Sequence, residues 1–136
     1  MQPKTKIAVV VRDDLATWQR LNVTAFGVSG IAARHPETLG EDYEDASGVR
    51  YLPMFGQPVL VYTGDADGLR AAHRKAVDRG LAVAVYPDEL FATDNDTDNR
   101  AVVRAVPTEK LTPAGIVLYG GRNAVDKAVK GLRLHP

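Results

Sequence analysis

The stretch whose reading decides the fold is Ile7–Asn22, IAVVVRDDLATWQRLN. Five apolar residues in a row, three of them valine, describe a strand covered by protein on both faces. An arginine and two aspartates follow at once, and by Trp18 the apolar spacing has become helical. Three further runs repeat the strand signature: Val59–Tyr62, Leu81–Tyr86 and Ile116–Tyr119. Segments with helical spacing separate them. This alternation predicts an α/β fold, a mixed and mostly parallel sheet of four to five strands with helices on both faces.

The clearest helix follows Gly64, with Asp65 or Asp67 available to cap its free amides and Gly80 to end it in a left-handed turn. Leu69, Ala72, His73, Ala76 and Val77 line one side, while Arg70, Arg74, Lys75 and Arg79 take the other. A last helix, about Arg122–Lys130, turns Val125, Ala128 and Val129 inward and ends near Gly131. The first helix, about Trp18–Arg34, is less regular, because Gly27 and Gly30 each cost about 1 kcal/mol against alanine. Close packing of a small-residue face, on the sheet or on a partner, would offset that cost. His35-Pro36 stops it. Residues 37–57 begin acidic, turn at Ala46-Ser47-Gly48 and continue as Tyr51–Phe55, which describes an insertion with an extra strand or hairpin.

With 136 residues and 45% hydrophobic content the chain is read as one domain, residues 1–136. Seventeen basic and seventeen acidic side chains cancel, so no global field draws it towards nucleic acid or an anionic membrane. Lys127, Lys130 and Arg133, near Arg122, leave RNA only as a local partner, and a solvated basic face explains them better than an RNA footprint does. Zero cysteines exclude disulfides, thiolate metal sites and a cysteine nucleophile, and fit a reducing cytoplasm. The five-residue apolar run near the amino terminus is too short for a signal-peptide core or a membrane span.

In open α/β sheets, ligands bind outside the carboxyl ends of the strands. Parallel strands would deliver Arg12, Asp13 and Asp14, then Thr63, Gly64 and Asp65, then Asp88 and Glu89, to one edge. Burial raises a carboxyl pKa and a neighbouring cation lowers it, so an acid beside Arg12 could be tuned as a base. A purely structural turn, with Asp14 as a cap and Arg12 paired across the loop, fits the same letters. Other motifs fail. DNDTDN, Asp94–Asn99, has Asn99 and Ala105 where a calcium loop requires glycine and glutamate, so it reads as an acidic start to a helix over Thr97–Val106. The three histidines are too dispersed to ligate a metal together. Ser29, in GVSG, lies inside a helix instead of at a nucleophile elbow. Neither a dinucleotide fingerprint nor a phosphate-binding P-loop occurs, so no cofactor is expected. Gly120-Gly121 offers only a weak anion cradle.

VVRDDL, Val10–Leu15, with the closing AVDKAVKGLRL, Ala124–Leu134, resembles the type II peptidyl-tRNA hydrolases. RYLPMFGQPVLVY, Arg50–Tyr62, and YPDELFAT, Tyr86–Thr93, resemble more closely an uncharacterised bacterial family, domain of unknown function two thousand. The resemblance implies a hydrolase-like fold with a small mixed sheet between helices, and a homodimer. It also exposes departures. Asn22 stands where the hydrolases have a functional lysine, Phe26 at their glutamine and Ser29 at their histidine. Asp88 matches their aspartate, but Glu89 and Leu90 follow it, and Thr93 is offset by one from their threonine. A neutral amide at Asn22 cannot supply the lost cation.

These readings give three expectations. The first is a small-molecule or hydrolase-like site in which Asp14 or Asp88 accepts a proton or hydrogen bond and Asn22 orients a polar group. In it Arg12 holds an anion or a carboxylate, Trp18 forms a wall, and Tyr51, Met54 and Thr93 complete the binding surface. The second is a diverged peptidyl-tRNA hydrolase. The third is a non-catalytic dimeric interaction module using the insertion and the small-residue helix.

Overall fold

The computed structural model describes residues 3–136. Strand β1 (Thr5–Arg12) lies at the centre of a five-stranded sheet, and Ile7–Val10 are fully enclosed. Its alternation divides the core. Ala8 and Val10 face helices α2 (Ala66–Asp78) and α4 (Arg122–Ala128), while Ile7, Val9 and Val11 face α1 (Thr17–Arg34). Between α1 and the next long strand, a hairpin of β2 (Tyr43–Glu44) and β3 (Arg50–Tyr51) forms a separate two-stranded unit. The main sheet is completed by β4 (Val59–Gly64), β5 (Ala82–Pro87), β6 (Pro113–Gly121) and β7 (Arg133–Leu134), in the order β5-β6-β1-β4-β7.

The sheet is not mostly parallel. Only β1 and β4 pair in parallel; β1 with β6, β5 with β6 and β4 with β7 are antiparallel. The physical reason lies in residues 88–112. They leave and return at the same end of the sheet, where the Asp88 amide donates to the Thr112 carbonyl at 3.1 Å. Helix α3 (Asp96–Arg104) within this segment buries no residue, so it does not cross the sheet face as a connection between parallel strands must. Because β6 lies antiparallel between β1 and β5, strands β1, β4 and β5 nevertheless point the same way. Their carboxyl ends therefore share one edge.

Local chemistry explains the helices. Asp65 caps α2 by accepting from the Gly68 amide at 2.8 Å, and Asn95 caps α3 by accepting from the Asp98 amide at 2.8 Å. Gly27 brings α1 onto the sheet so closely that an added Cβ would overlap Val117, which offsets the glycine's poor helix propensity. Gly30 meets nothing so close. None of the described helices is long and apolar enough to cross a membrane.

The inner face of α2 also buries His73. Burial, and then the neighbouring Arg74, push its pKa below the ordinary histidine value. Below about pH 6.5 the unfolded chain therefore binds a proton that the folded chain resists, and stability falls as pH falls. Denaturant titrations at pH 7.5 and 5.5 should show this loss, and His73→Leu should reduce it.

Candidate functional site

Arg12 ends β1 with its side chain largely buried, and each side of its guanidinium is occupied. Nε donates to Asp14 at 2.6 Å, Nη2 meets Asp88 at 2.8 Å, and Nη1 donates to the Pro113 carbonyl at 3.3 Å. The hydrogen bond to Asp88, opposed by partial burial and aided by Asp14, raises the Arg12 pKa still further. Arg12 is thus an anchor. One N–H on each of its two terminal nitrogens has no partner among the described residues. Asp88 is 43% exposed, and among the described residues no donor meets its second oxygen. Asp14 is the more exposed of the two acids. It does not cap α1; the amide of Ala16, the residue just before the helix, donates instead to Gln19 Oε1 at 2.9 Å.

Beside this cluster runs a row of aromatic rings. Trp18, Asn22 and Phe26 lie one turn apart on α1 and face the turn Asp88–Ala92 and the end of β5. Trp18 meets Phe91 edge-on at 5.9 Å, Phe91 meets Tyr86 at 4.9 Å, and Tyr86 meets Phe26 at 5.9 Å. Asn22 Nδ2 donates to the Tyr86 hydroxyl at 3.2 Å. Burial raises the Tyr86 pKa, an effect the Asn22 bond only partly offsets, so the phenol stays neutral at physiological pH. Trp18 and Phe26 remain 61% and 53% exposed. From Phe26 and Tyr86 a groove of about 460 Å³ extends to Leu90, Asn99, Val103 and Arg104.

The structure therefore brings Arg12, Asp14 and Asp88 together, with Asn22 and Trp18 on the adjoining wall. Thr93 is placed otherwise: its hydroxyl donates to the Leu90 carbonyl at 3.0 Å and contacts the Asn99 side chain, fastening the turn to α3. Tyr51 and Met54 are not brought to the site. Their segment is tied by the Leu39–Phe55 bridge and the Gln57 bond to Thr5, at the amino end of β1, whereas Arg12 is at its carboxyl end. Sequence reasoning missed Tyr86, Phe26 and Phe91. The spacing of Trp18, Asn22 and Phe26 was the available signal for a one-sided stripe.

A family model described as "Protein of unknown function (DUF2000)" matches residues 5–136. The chain belongs to the DUF2000 family. A solved structure, that of the protein of unknown function Atu0240 from Agrobacterium tumefaciens, is 42% identical, with a TM-score of 0.96 over 99% of this chain and 100% of that chain. No curated protein matches. The fold is thus shared with a protein that is itself described as of unknown function.

Proposed function

We propose that this DUF2000 protein binds a small molecule at the carboxyl ends of β1 and β5, with Asp88 as the recognising acceptor. The observation that carries this reading is the bond from Arg12, which fixes Asp88 while leaving one carboxylate oxygen open, at the start of the turn whose Phe91 packs on the exposed Trp18. A ligand with an amine or hydroxyl donor next to a flat apolar body fits that pairing of groups. In a hydrolase-like reaction the same oxygen would serve as a base. Kinship with the type II peptidyl-tRNA hydrolases belongs to this reading as a matter of scaffold. It is supported by VVRDDL, whose arginine forms the anchor, and opposed in chemistry by Asn22 at the lysine position. A bacterial cytoplasmic home is supported by the absence of cysteine and by the bacterial source of the structural relative.

Thermal-shift screening against metabolites tests the binding. A ligand at a hundred times its Kd adds about 2.7 kcal/mol of stability. Asp88→Asn, which keeps shape and removes charge, should abolish that gain, and Trp18→Ala should reduce it. A ligand whose shift survives both substitutions occupies another place and ends this reading. An N-blocked aminoacyl-tRNA should not be cleaved above the buffer rate.

A further inference from the structure

We propose that the β2–β3 arm of one molecule docks, as an added strand, into the groove between α1, β5 and α3 of a second copy. The arm has no support of its own. Every residue from Gly40 to Leu52 is exposed, including the apolar side chains Tyr43, Val49, Tyr51 and Leu52. Two-stranded hairpins are marginal in water, yet this one is internally braced. Asp45 accepts from the Ser47 and Val49 amides and from the Tyr51 hydroxyl, and Gly48 takes the left-handed turn at φ 86°. Tyr43 and Tyr51 pair across the strands and so share one face. Glu41 and Asp42, just before them, have no basic partner among the described residues.

The groove offers the complementary chemistry. Strand β5 is an edge of the sheet, Ala-Val-Ala-Val-Tyr-Pro, with none of the charges that protect exposed edges. Among the described residues no hydrogen bond reaches its outer side, whereas the opposite edge, β7, is only two residues long and carries Arg133. The groove beside β5 has an apolar floor of Phe26 and Leu90 and continues as a hollow of about 350 Å³ past Gly30 to Arg34. Arg34 and Arg104, on its rim, have no acidic partner among the described residues. Between Leu21 and Ala33 the helix lining it carries no charge. An open backbone edge, an apolar floor and a basic rim select an acidic, tyrosine-bearing extended segment, and this chain carries one.

The carboxyl-terminal root of the arm is remote from its own groove, whereas its amino-terminal root follows Arg34 and His35 at the end of the hollow. The carboxyl-terminal root leads into β4, three strands from β5 and so roughly 14 Å across the sheet at strand spacing. Exchange between two copies satisfies both at once and closes on a two-fold axis. Each copy contributes thirteen arm residues and the eleven that line the groove, within the roughly 20–30 residues a side of a stable interface.

Size-exclusion chromatography with light scattering on the full chain tests this, with circular dichroism to confirm folding. The wild type should be a dimer. Glu41→Lys with Asp42→Lys, or Arg34→Glu with Arg104→Glu, should each weaken it at least about tenfold in Kd, and combining the four should restore it. A wild-type monomer at high micromolar concentration, a dimer indifferent to either reversal, or a combination that fails to restore would each overturn the proposal. All four positions are on the surface, and deleting residues 41–52 provides a second variant, which must be monomeric.

Discussion

Gly115→Ala is expected to lower stability by about 3 kcal/mol, seen as a fall of about 10 °C in Tm by calorimetry. Gly115 is on β6, where the strand passes under α1 and beside β1. A Cβ there would overlap the Val23 side chain and stand 2.9 Å from the Val10 carbonyl oxygen. The side chain could rotate or shift, but the carbonyl is fixed by the pairing of Val10 and Val11 with Ile116 and Gly115. The strain therefore cannot relax without moving the central strand. Gly121→Ala is the control: its φ is −58° and an added Cβ meets nothing within 4 Å, so its effect should stay within about 0.5 kcal/mol. Adding Val23→Ala to Gly115→Ala should cost less than the sum of the two single changes, because one removes part of the other's clash. An additive result would mean that α1 already yields at this position.

The same region shows how far the sequence could be read. Ile7–Val11 marked β1 because a strand enclosed on both faces needs no polar alternation, and the cap at Asp65 and the turn at Gly80 bounded α2 through backbone chemistry alone. Strand direction was harder, since Ile116–Tyr119 is equally apolar in either orientation. The useful signal was in α3, where only Ala101, Val102 and Val103 are apolar. Such a helix cannot cover a sheet face, so its segment had to return to the edge it left. At the site, Arg12 and Asp88 could be brought together on paper because each follows a strand run. Their bonding could not, since it depends on the antiparallel β6 presenting the Pro113 carbonyl to the third side of the guanidinium. Tyr51 and Met54 were assigned to the site by their place in an insertion, but the root of that insertion is fixed by Gln57 and Thr5, a contact across 52 residues that no local pattern encodes.

Asp126→Ala is expected to destabilise the fold by about 2 kcal/mol, whereas Lys6→Met should change it by less than about 1 kcal/mol. Lys6 is at the start of β1 with its side chain 8% exposed, and its Nζ donates to Asp126 at 2.6 Å and to the Tyr62 hydroxyl at 2.8 Å. Burial alone would depress its pKa, but the bonds to Asp126 and Tyr62 outweigh it and the net direction is upward. Removing Asp126 leaves a buried ammonium with one neutral partner, the costly half of an ion pair; the 3–5 kcal/mol of a fully buried pair is reduced because water reaches Asp126. Removing Lys6 instead leaves a half-exposed carboxylate that water can solvate, while a methionine keeps the packing against Tyr62. The raised pKa also fixes the pH window. The contribution of Lys6 is complete below the ordinary lysine value of about 10.4 and is lost as pH rises through the folded pKa, so the wild type should approach Lys6→Met only in strong alkali. Urea titrations of the wild type and both variants at pH 7 and 11 would separate this from a packing effect, because lost packing would make Lys6→Met the more damaging change at both pH values.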